Sequence, residues 1–258
     1  MSDIKLGNNN VTFKVGSTDV NAIYIGDTLI YSGSTPPTPH DYLTFRALED
    51  GTFKLSGNSI NYSTDSGVTW TELASNTNSP TVQSGQTIMW KGTLSASSSN
   101  GIGTFSSTGR FEVEGNAMSL KYGDNFSDKT TLPDNYSFAK LFYNCGSLTS
   151  AENLVLPATA LTQSCYNSMF YYCTSLNTAP SLPATALAQT CYQNMFYWCS
   201  SLNSITCLAT DISASNCTQN WVRSVGYVGT FYKAASMNDW DAGANGVPAG
   251  WTLTDYSS

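Results

Sequence analysis

Charge is scarce in this sequence. Asp, Glu, Lys and Arg make up 11 % of the 258 residues, and Ser, Thr, Asn and Gly fill the surface positions instead. The 11 basic residues are scattered, so the clustered Lys and Arg that neutralise a phosphate backbone are missing, which sets nucleic acid aside as a partner. With a net charge of −7, an anionic membrane surface is disfavoured for the same reason. No apolar run is long enough to cross a bilayer. The opening MSDIKLGNNN has no apolar segment of the kind a secretory signal needs. There is one histidine, His40, and no cysteine pair has the CxxC spacing, so a zinc site lacks its usual ligand set. No sustained heptads fix an oligomeric number, and no cofactor signature is found.

What is present is a core-forming apolar fraction of 41 %, which rules out a disordered chain. The composition suits a β-rich exterior protein, yet no export signal accompanies it. A protein made in a cytoplasm and released inside a larger particle, such as a virion, resolves that tension. A trimmed mature protein would also resolve it, although the initial Met argues against trimming.

The dominant feature is a repeat. MFYYCTSLNTAPSLPATAL, starting at Met169, returns 26 residues later from Met195 as MFYWCSSL, and the period carries Cys173 to Cys199 and Leu176 to Leu202. Pro157-Ala-Thr-Ala-Leu161 returns as Pro183-Ala-Thr-Ala-Leu187. An earlier copy, Leu141-Phe-Tyr-Asn-Cys145, carries two extra residues near Asn153 and Leu154. A fixed period of this length predicts a solenoid, in which each unit buries its apolar face on the next. Ser147-Leu148, Ser175-Leu176 and Ser201-Leu202 are expected to start the strand of each unit, with Leu inward. Cys165 to Phe170 and its copies are expected to form a short helix or turn. All seven cysteines lie in this zone, in two families that step with the period (Cys145, Cys173, Cys199; Cys165, Cys191, Cys217) plus Cys207. That pattern predicts a ladder of small buried reduced side chains rather than a disulfide scaffold.

The rest of the chain divides around the repeat. Residues 1–32 read as a β arm, with Ala22 to Ile25 and Thr28 to Tyr31 flanking a two-residue turn at Gly26-Asp27. The arm either packs on the next domain or docks the protein to an assembly through Ile23, Tyr24, Ile25, Leu29, Ile30 and Tyr31. Residues 33–41 form a Pro-rich linker that holds His40 in solvent. Residues 42–130 show short alternating runs between turn residues, the rhythm of a β-sandwich or jelly roll. Inside them Ser63-Thr-Asp65-Ser-Gly67-Val-Thr-Trp70 matches an Asp-box, in which the carboxylate caps a turn and the Trp packs beneath it, a folding device and not a catalytic site. Glu112 and Glu114 share a strand face, a spacing open to a glycosidase pair or to an exposed strand edge. Residues 131–224 are the solenoid, with Tyr136 to Phe142 as its first cap. Residues 225–258 form a β cap with closing strands at Thr230 to Lys233 and Gly250 to Leu253. Asp239 and Asp241 give only two carboxylates, too few oxygens for a cation site.

The phrase MFYxCTSLxTAPxLPATxLAxxCYxNMF resembles the BspA-like (Treponema pallidum-type) leucine-rich repeat. That repeat is found in surface proteins of gut Bacteroidales and in their crAss-like and related phages. The resemblance covers about a third of the chain. The flanking phrases IYIGDTLIYSG, GTFKLSGNSINYSTDSGVTW, GIGTFSSTGRFEVEGN and GTFYKAASMNDWDAGANGVPAGWTL are similar to phage proteins of that niche. It implies adhesion or virion display and carries no catalytic motif. The sequence departs from the repeat just before the cysteine, where Tyr172 and Trp198 replace an often small residue. Tyr171, Tyr172, Tyr197 and Trp198 are therefore the expected ligand contacts, as one aromatic ridge for sugar rings or a protein hot spot; core packing is the alternative.

The expectation is a mainly β chain: arm, β-sandwich, short leucine-rich solenoid and β cap. The expected function is a non-enzymatic virion surface protein (fibre, decoration or receptor-binding) of a phage infecting gut Bacteroidales, attaching to host surface glycan or protein. The expected partners are virion structural proteins through the arm, with no cofactor or metal. The alternatives are a bacterial cell-surface adhesin and a polysaccharide depolymerase built on the β domain.

Overall fold

The computed structural model describes residues 42–257 apart from 97 and, within residues 1–41, the backbone of four short strands. The chain divides into two units, Met1–Thr38 and Pro39–Ser258. In the first, β1 (Lys14–Val15) pairs antiparallel with β2 (Thr18–Asp19), and β3 (Ile23–Ile25) with β4 (Thr28–Tyr31). The Gly26-Asp27 turn, the linker with His40, and the side chains of Ile23, Tyr24, Ile25, Leu29, Ile30 and Tyr31 lie outside the described residues.

The second unit is built on a single ten-stranded sheet. Its first part comprises β5 (Leu43–Ala47), β6 (Phe53–Leu55), β7 (Ile60–Ser63), β8 (Thr71–Leu73), β9 (Thr87–Lys91), β10 (Phe105–Ser107) and β11 (Phe111–Asn116). After helix α1 (Ser119–Tyr122) come β12 (Leu148–Val155), β13 (Thr178–Leu182), β14 (Ser204–Cys207), β15 (Thr230–Lys233) and β16 (Thr252–Asp255). The sheet order is β16-β15-β14-β13-β12-β11-β5-β9-β7-β8, parallel from β11 through β16 and antiparallel on the other side of β11. β6 and β10 form a separate pair whose Phe53 and Phe105 lie 5.3 and 4.8 Å from Phe45 of the large sheet. Phe45 also meets Trp90, Phe111 and Phe142, the last from the first solenoid coil. Residues 42–130, where a sandwich or jelly roll is expected, thus share one sheet and one core with the solenoid. The junction explains the irregular first repeat. Asn153 and Leu154 pair with Glu114 and Gly115 of β11, and the register shifts along this pairing take up the extra residues.

The solenoid makes about four coils, and its turn face obeys a simple rule. From Ser164 to Tyr172 the even-numbered amides donate to the next coil, as Tyr166 N does to Cys191 O at 3.1 Å and Tyr172 N to Tyr197 O at 2.8 Å. The odd-numbered amides close four-residue turns within the coil, as Tyr171 N does onto Ser168 O at 3.1 Å. Every amide in the run is therefore paired. Every second turn holds its third residue at positive φ, as a type II turn demands: Ser164, Ser168 and Tyr172 have φ of 55, 56 and 61°. The same positions in the other coils are Tyr136, Lys140 and Asn144; Thr190, Asn194 and Trp198; Asn216, Asn220 and Ser224. The expected helix-or-turn segment is thus a run of turns, with Cys165, Met169 and Phe170 buried. Tyr136 to Phe142, expected as a cap, makes the full set of inter-coil bonds and is itself the first coil.

Both ends of the stack are covered, as a solenoid requires. Thr104 Oγ1 donates to Lys140 O and Phe105 N to Leu141 O over the first coil, where a Cβ on Gly101 would meet Ala139 O at 2.5 Å. At the far end Trp221 stacks on Trp240 at 5.5 Å and its Nε1 donates to Gly246 O. The expected closing strands are β15 and β16, two further parallel rungs of the same sheet.

The connector into the solenoid carries a buried charge pair. Lys121 Nζ, with its side chain 1 % exposed, bonds Asp134 Oδ2 at 2.5 Å. Burial opposes ionisation of Asp134, yet the Lys121 ammonium and the Ala96 amide hold its carboxyl below the usual range. Asp134→Ala leaves that ammonium unpaired and is expected to lower unfolding free energy by about 3 kcal/mol, measured by denaturant titration. Because the folded carboxyl titrates below its unfolded value, the Asp134 contribution is present above the normal carboxylate range and is lost as pH falls through the folded value. An acid titration of the wild type should be steeper than that of the variant.

Candidate functional site

The turn rule decides which side chains leave the coil. The residue before the last left-handed position points outward in each coil, giving a column of Tyr143, Tyr171 and Tyr197. Their rings are 4.8 and 5.0 Å apart and within 7° of parallel. Lys140 Nζ lies 6.0 Å from the Tyr143 ring and the Arg223 guanidinium 5.7 Å from Tyr197, so a cation stands at each end. The three faces cover one another, which leaves edges and hydroxyls to face outward. No hydroxyl of the column bonds a protein group among the described residues. Burial, with the neighbouring tyrosines, pushes the Tyr171 phenol up, so it remains a proton donor at neutral pH.

The left-handed position itself forms a second column: Asn144, Tyr172, Trp198 and Ser224, with φ of 59, 61, 61 and 61°. A bulky residue in this region costs on the order of 1–2 kcal/mol, whereas Asn tolerates it. Asn144 and Ser224 meet the backbone requirement with small polar side chains. The fold therefore does not need an aromatic there; since Tyr136, Lys140 and Thr190 hold the same conformation at other turns, exposure of large rings is what sets Tyr172 and Trp198 apart. Tyr172 and Trp198 are each 44 % exposed and lie 6.0 Å apart with their planes inclined by 44°, so parts of both faces are open. Phe170 and Phe196, directly below, stack at 5.5 Å and are fully buried.

The four expected contacts, Tyr171, Tyr172, Tyr197 and Trp198, thus come together on one ridge. The ridge differs from a simple aromatic row in having two kinds of surface, open faces at Tyr172 and Trp198 and hydroxyl-bearing edges beside them. Sequence reasoning missed Tyr143 and Arg223. Their signal was the register, since Tyr143 precedes Cys145 as Tyr171 precedes Cys173, and Arg223 follows Tyr197 by one period. Residues 153–210 contain no Asp, Glu, Lys or Arg, so the middle of the ridge sets up no charge of its own.

Of the other candidates, Glu114 and Asp65 are engaged in structural contacts. Glu112 and Glu114 lie on one half-buried face of β11, and Glu114 pairs with Arg46 at 3.3 Å. Asp65 takes bonds from Thr69 N and Oγ1, which hold its carboxyl at about 2, while Ser63 Oγ accepts from Gly67 N and Trp70 Nε1 donates to Gly67 O. The Asp-box is thus the turn device its spacing predicts. Asp239 and Asp241 flank the buried Trp240 and are exposed. Among the described residues no three His, Cys, Asp or Glu converge as a metal set. A cleft of about 520 Å³ at the ends of β12 and β13, lined by Glu152, Asn153, Val155, Ser181 and Pro183, offers a single carboxylate.

The seven cysteines are free and buried. They also serve the ladder directly: Cys173 Sγ and Cys199 Sγ donate to Phe142 O and Phe170 O of the preceding coil at 3.0 Å. Burial pushes their thiols up, that of Cys191 to about 12, so none is a nucleophile at neutral pH. No helix is long and apolar enough to cross a membrane among the described residues. No family model, curated protein or solved structure matches the chain.

Two outcomes are expected. Tyr172→Asn and Trp198→Asn should leave stability unchanged or raise it by up to about 1 kcal/mol each, because the strained conformation suits Asn better. A denaturant midpoint lowered by the equivalent of about 2 kcal/mol would place those rings in the core. Iodoacetamide at pH 8 should label no cysteine in the native protein and all seven after unfolding, read by intact mass.

Proposed function

We propose that the chain is a non-enzymatic attachment protein whose ridge binds glycan on a cell surface. The observation that carries this reading is the pair of half-exposed aromatics, Tyr172 and Trp198, held at positive φ where Asn144 and Ser224 suffice elsewhere. A sugar presents an apolar C–H face and a rim of hydroxyls. Open aromatic faces flanked by phenol edges offer a surface for each. A protein hot spot would use the same rings but would not need the row of unpaired hydroxyls.

In this reading residues 42–130 act as a small sandwich-like base, with β6–β10 as its second layer, and the solenoid carries the binding face. The resemblance of the repeat phrase supports display on the virion of a phage of gut Bacteroidales, as a fibre, decoration or receptor-binding protein. The arm, with Ile23, Tyr24, Ile25, Leu29, Ile30 and Tyr31, is then the segment that meets other virion proteins. Display as an adhesin on a bacterial cell surface would use the same ridge. A depolymerase would instead depend on Glu112 and Glu114, and engagement of Glu114 by Arg46 favours a structural role for that carboxylate.

The test is binding of the full chain to Bacteroidales cells with and without capsule and to the purified capsular polysaccharides. Binding should require capsule and fall by about tenfold or more in Tyr172→Asn and Trp198→Asn, the loss of roughly one aromatic contact of 1–1.5 kcal/mol or above. Capsule-independent binding, or binding unchanged in both variants, would overturn the glycan reading.

A further inference from the structure

The tyrosine column ends on a cation that the fold leaves free. Ion pairs among the described residues engage Arg46, Lys91, Arg110, Lys121, Lys129 and Lys233. Lys54, Lys140 and Arg223 are left with no carboxylate partner there, and two of these three stand at the ends of the column. Lys140 Nζ is steadied by Asn100 Oδ1 at 2.9 Å. The Arg223 backbone is fixed by the bond from Trp198 N to its carbonyl at 2.9 Å, which sets its exposed side chain one coil beyond Tyr197.

Arg223 also lines a cleft of about 240 Å³ with Ser224, Gly226, Tyr227, Gly243 and Pro248. Tyr227 is among the most exposed aromatic residues described, at 94 %. The ridge therefore runs from open aromatic faces into a recess walled by a guanidinium and a second exposed ring. No carboxylate among the described residues forms an ion pair with that guanidinium, and Asp239 and Asp241, exposed on the segment beside the recess, do not reach it. The stretch 153–210 has no acidic residue, and Asp134 in the first coil is held by Lys121. In a protein of net charge −7, a ridge whose middle, residues 153–210, has no carboxylate and whose ends carry two cations without ion-pair partners is a departure from the average surface.

We infer that the ligand of this ridge is an acidic polysaccharide, one whose repeating unit bears a carboxylate that Arg223 receives at the end of the tyrosine column. This rests on the glycan reading above and narrows it. A guanidinium presents a planar fork of donors that matches a carboxylate, and charge-assisted bonds of that kind are the strong ones. The neutral middle of the ridge would then contact the apolar faces of the intervening sugars, with the acid group setting the register.

The experiment uses the full chain and a panel of acidic and neutral capsular polysaccharides, each acidic member tested before and after chemical reduction of its carboxyl groups to alcohols. Bound members should be acidic, and carboxyl reduction should weaken them by about tenfold or more, the worth of one hydrogen bond to a charged group. Arg223→Gln should reproduce that loss on the acidic form and add nothing on the reduced form, and Arg223→Lys should restore part of it. Affinity for the acidic form should also fall as salt rises. The side chain is exposed, so both variants should fold, as circular dichroism would verify. Equal binding of native and reduced polysaccharide, or Arg223→Gln binding like wild type, overturns the inference while leaving the glycan reading standing. Loss of ligands from the whole panel, or insensitivity to Tyr172→Asn and Trp198→Asn, overturns both.

Discussion

Backbone hydrogen bonding between coils is the constraint on which the rest depends. A run of residues that forms neither helix nor strand must still pair every buried amide. Here the amides alternate, one to the next coil and one back within its own. That alternation is possible only if the chain turns left-handed at every fourth residue, and it does so at twelve non-glycine positions. Side chains extend the same ladder. Asn167 donates to Gln193 at 2.9 Å, Gln193 bonds Gln219 in turn, and Ser164 meets Thr190 at 2.6 Å. The inner rings follow in register: Phe142, Phe170 and Phe196 at 5.5 Å steps, and Phe138, Tyr166 and Tyr192 at about 6 Å. One repeat of the backbone thus fixes, at once, the core, the polar ladder and the outward columns.

The sheet carries the second half of the argument. β11 faces two ways, antiparallel to β5 and parallel to β12, so it converts a meandering β module into the first rung of a solenoid. Its alternation of buried Phe111 and Val113 with half-buried Glu112 and Glu114 serves both neighbours. Further along, Pro180 sits inside β13, where it cannot donate to a ladder, and the register shift between Thr178 and Ser181 falls at that point. The ladder tolerates the gap because the turn face, on the other side of each coil, supplies an unbroken set of bonds.

Much of this was legible in the sequence, and the rest was hidden for definite reasons. The period of 26, the inward Leu148, Leu176 and Leu202, and the buried thiols follow from spacing, because a solenoid repeats its burial pattern with its sequence. The left-handed positions carry no signature. Ser, Thr, Asn, Lys, Tyr and Trp all occupy them, and the usual marker, glycine, is absent from those twelve sites. The shared sheet was equally hidden, since strand alternation at Phe111 to Glu114 does not say which strand lies beyond its far edge. For the ridge, the spacing brought Tyr171 beside Tyr172, while the near-parallel stacking that closes the faces of one column and leaves those of the other ajar depends on ring orientations that no spacing encodes.

The middle coils contain no charge and meet their neighbours through identical bonds, with the caps confined to the loop near Gly101 and the segment near Trp240. A coil is therefore a unit that can be copied or lost whole. Unequal recombination within the coding sequence would change the number of rings on display while leaving both ends of the molecule untouched. The length of the aromatic columns is thus set by the number of coils rather than by any single residue.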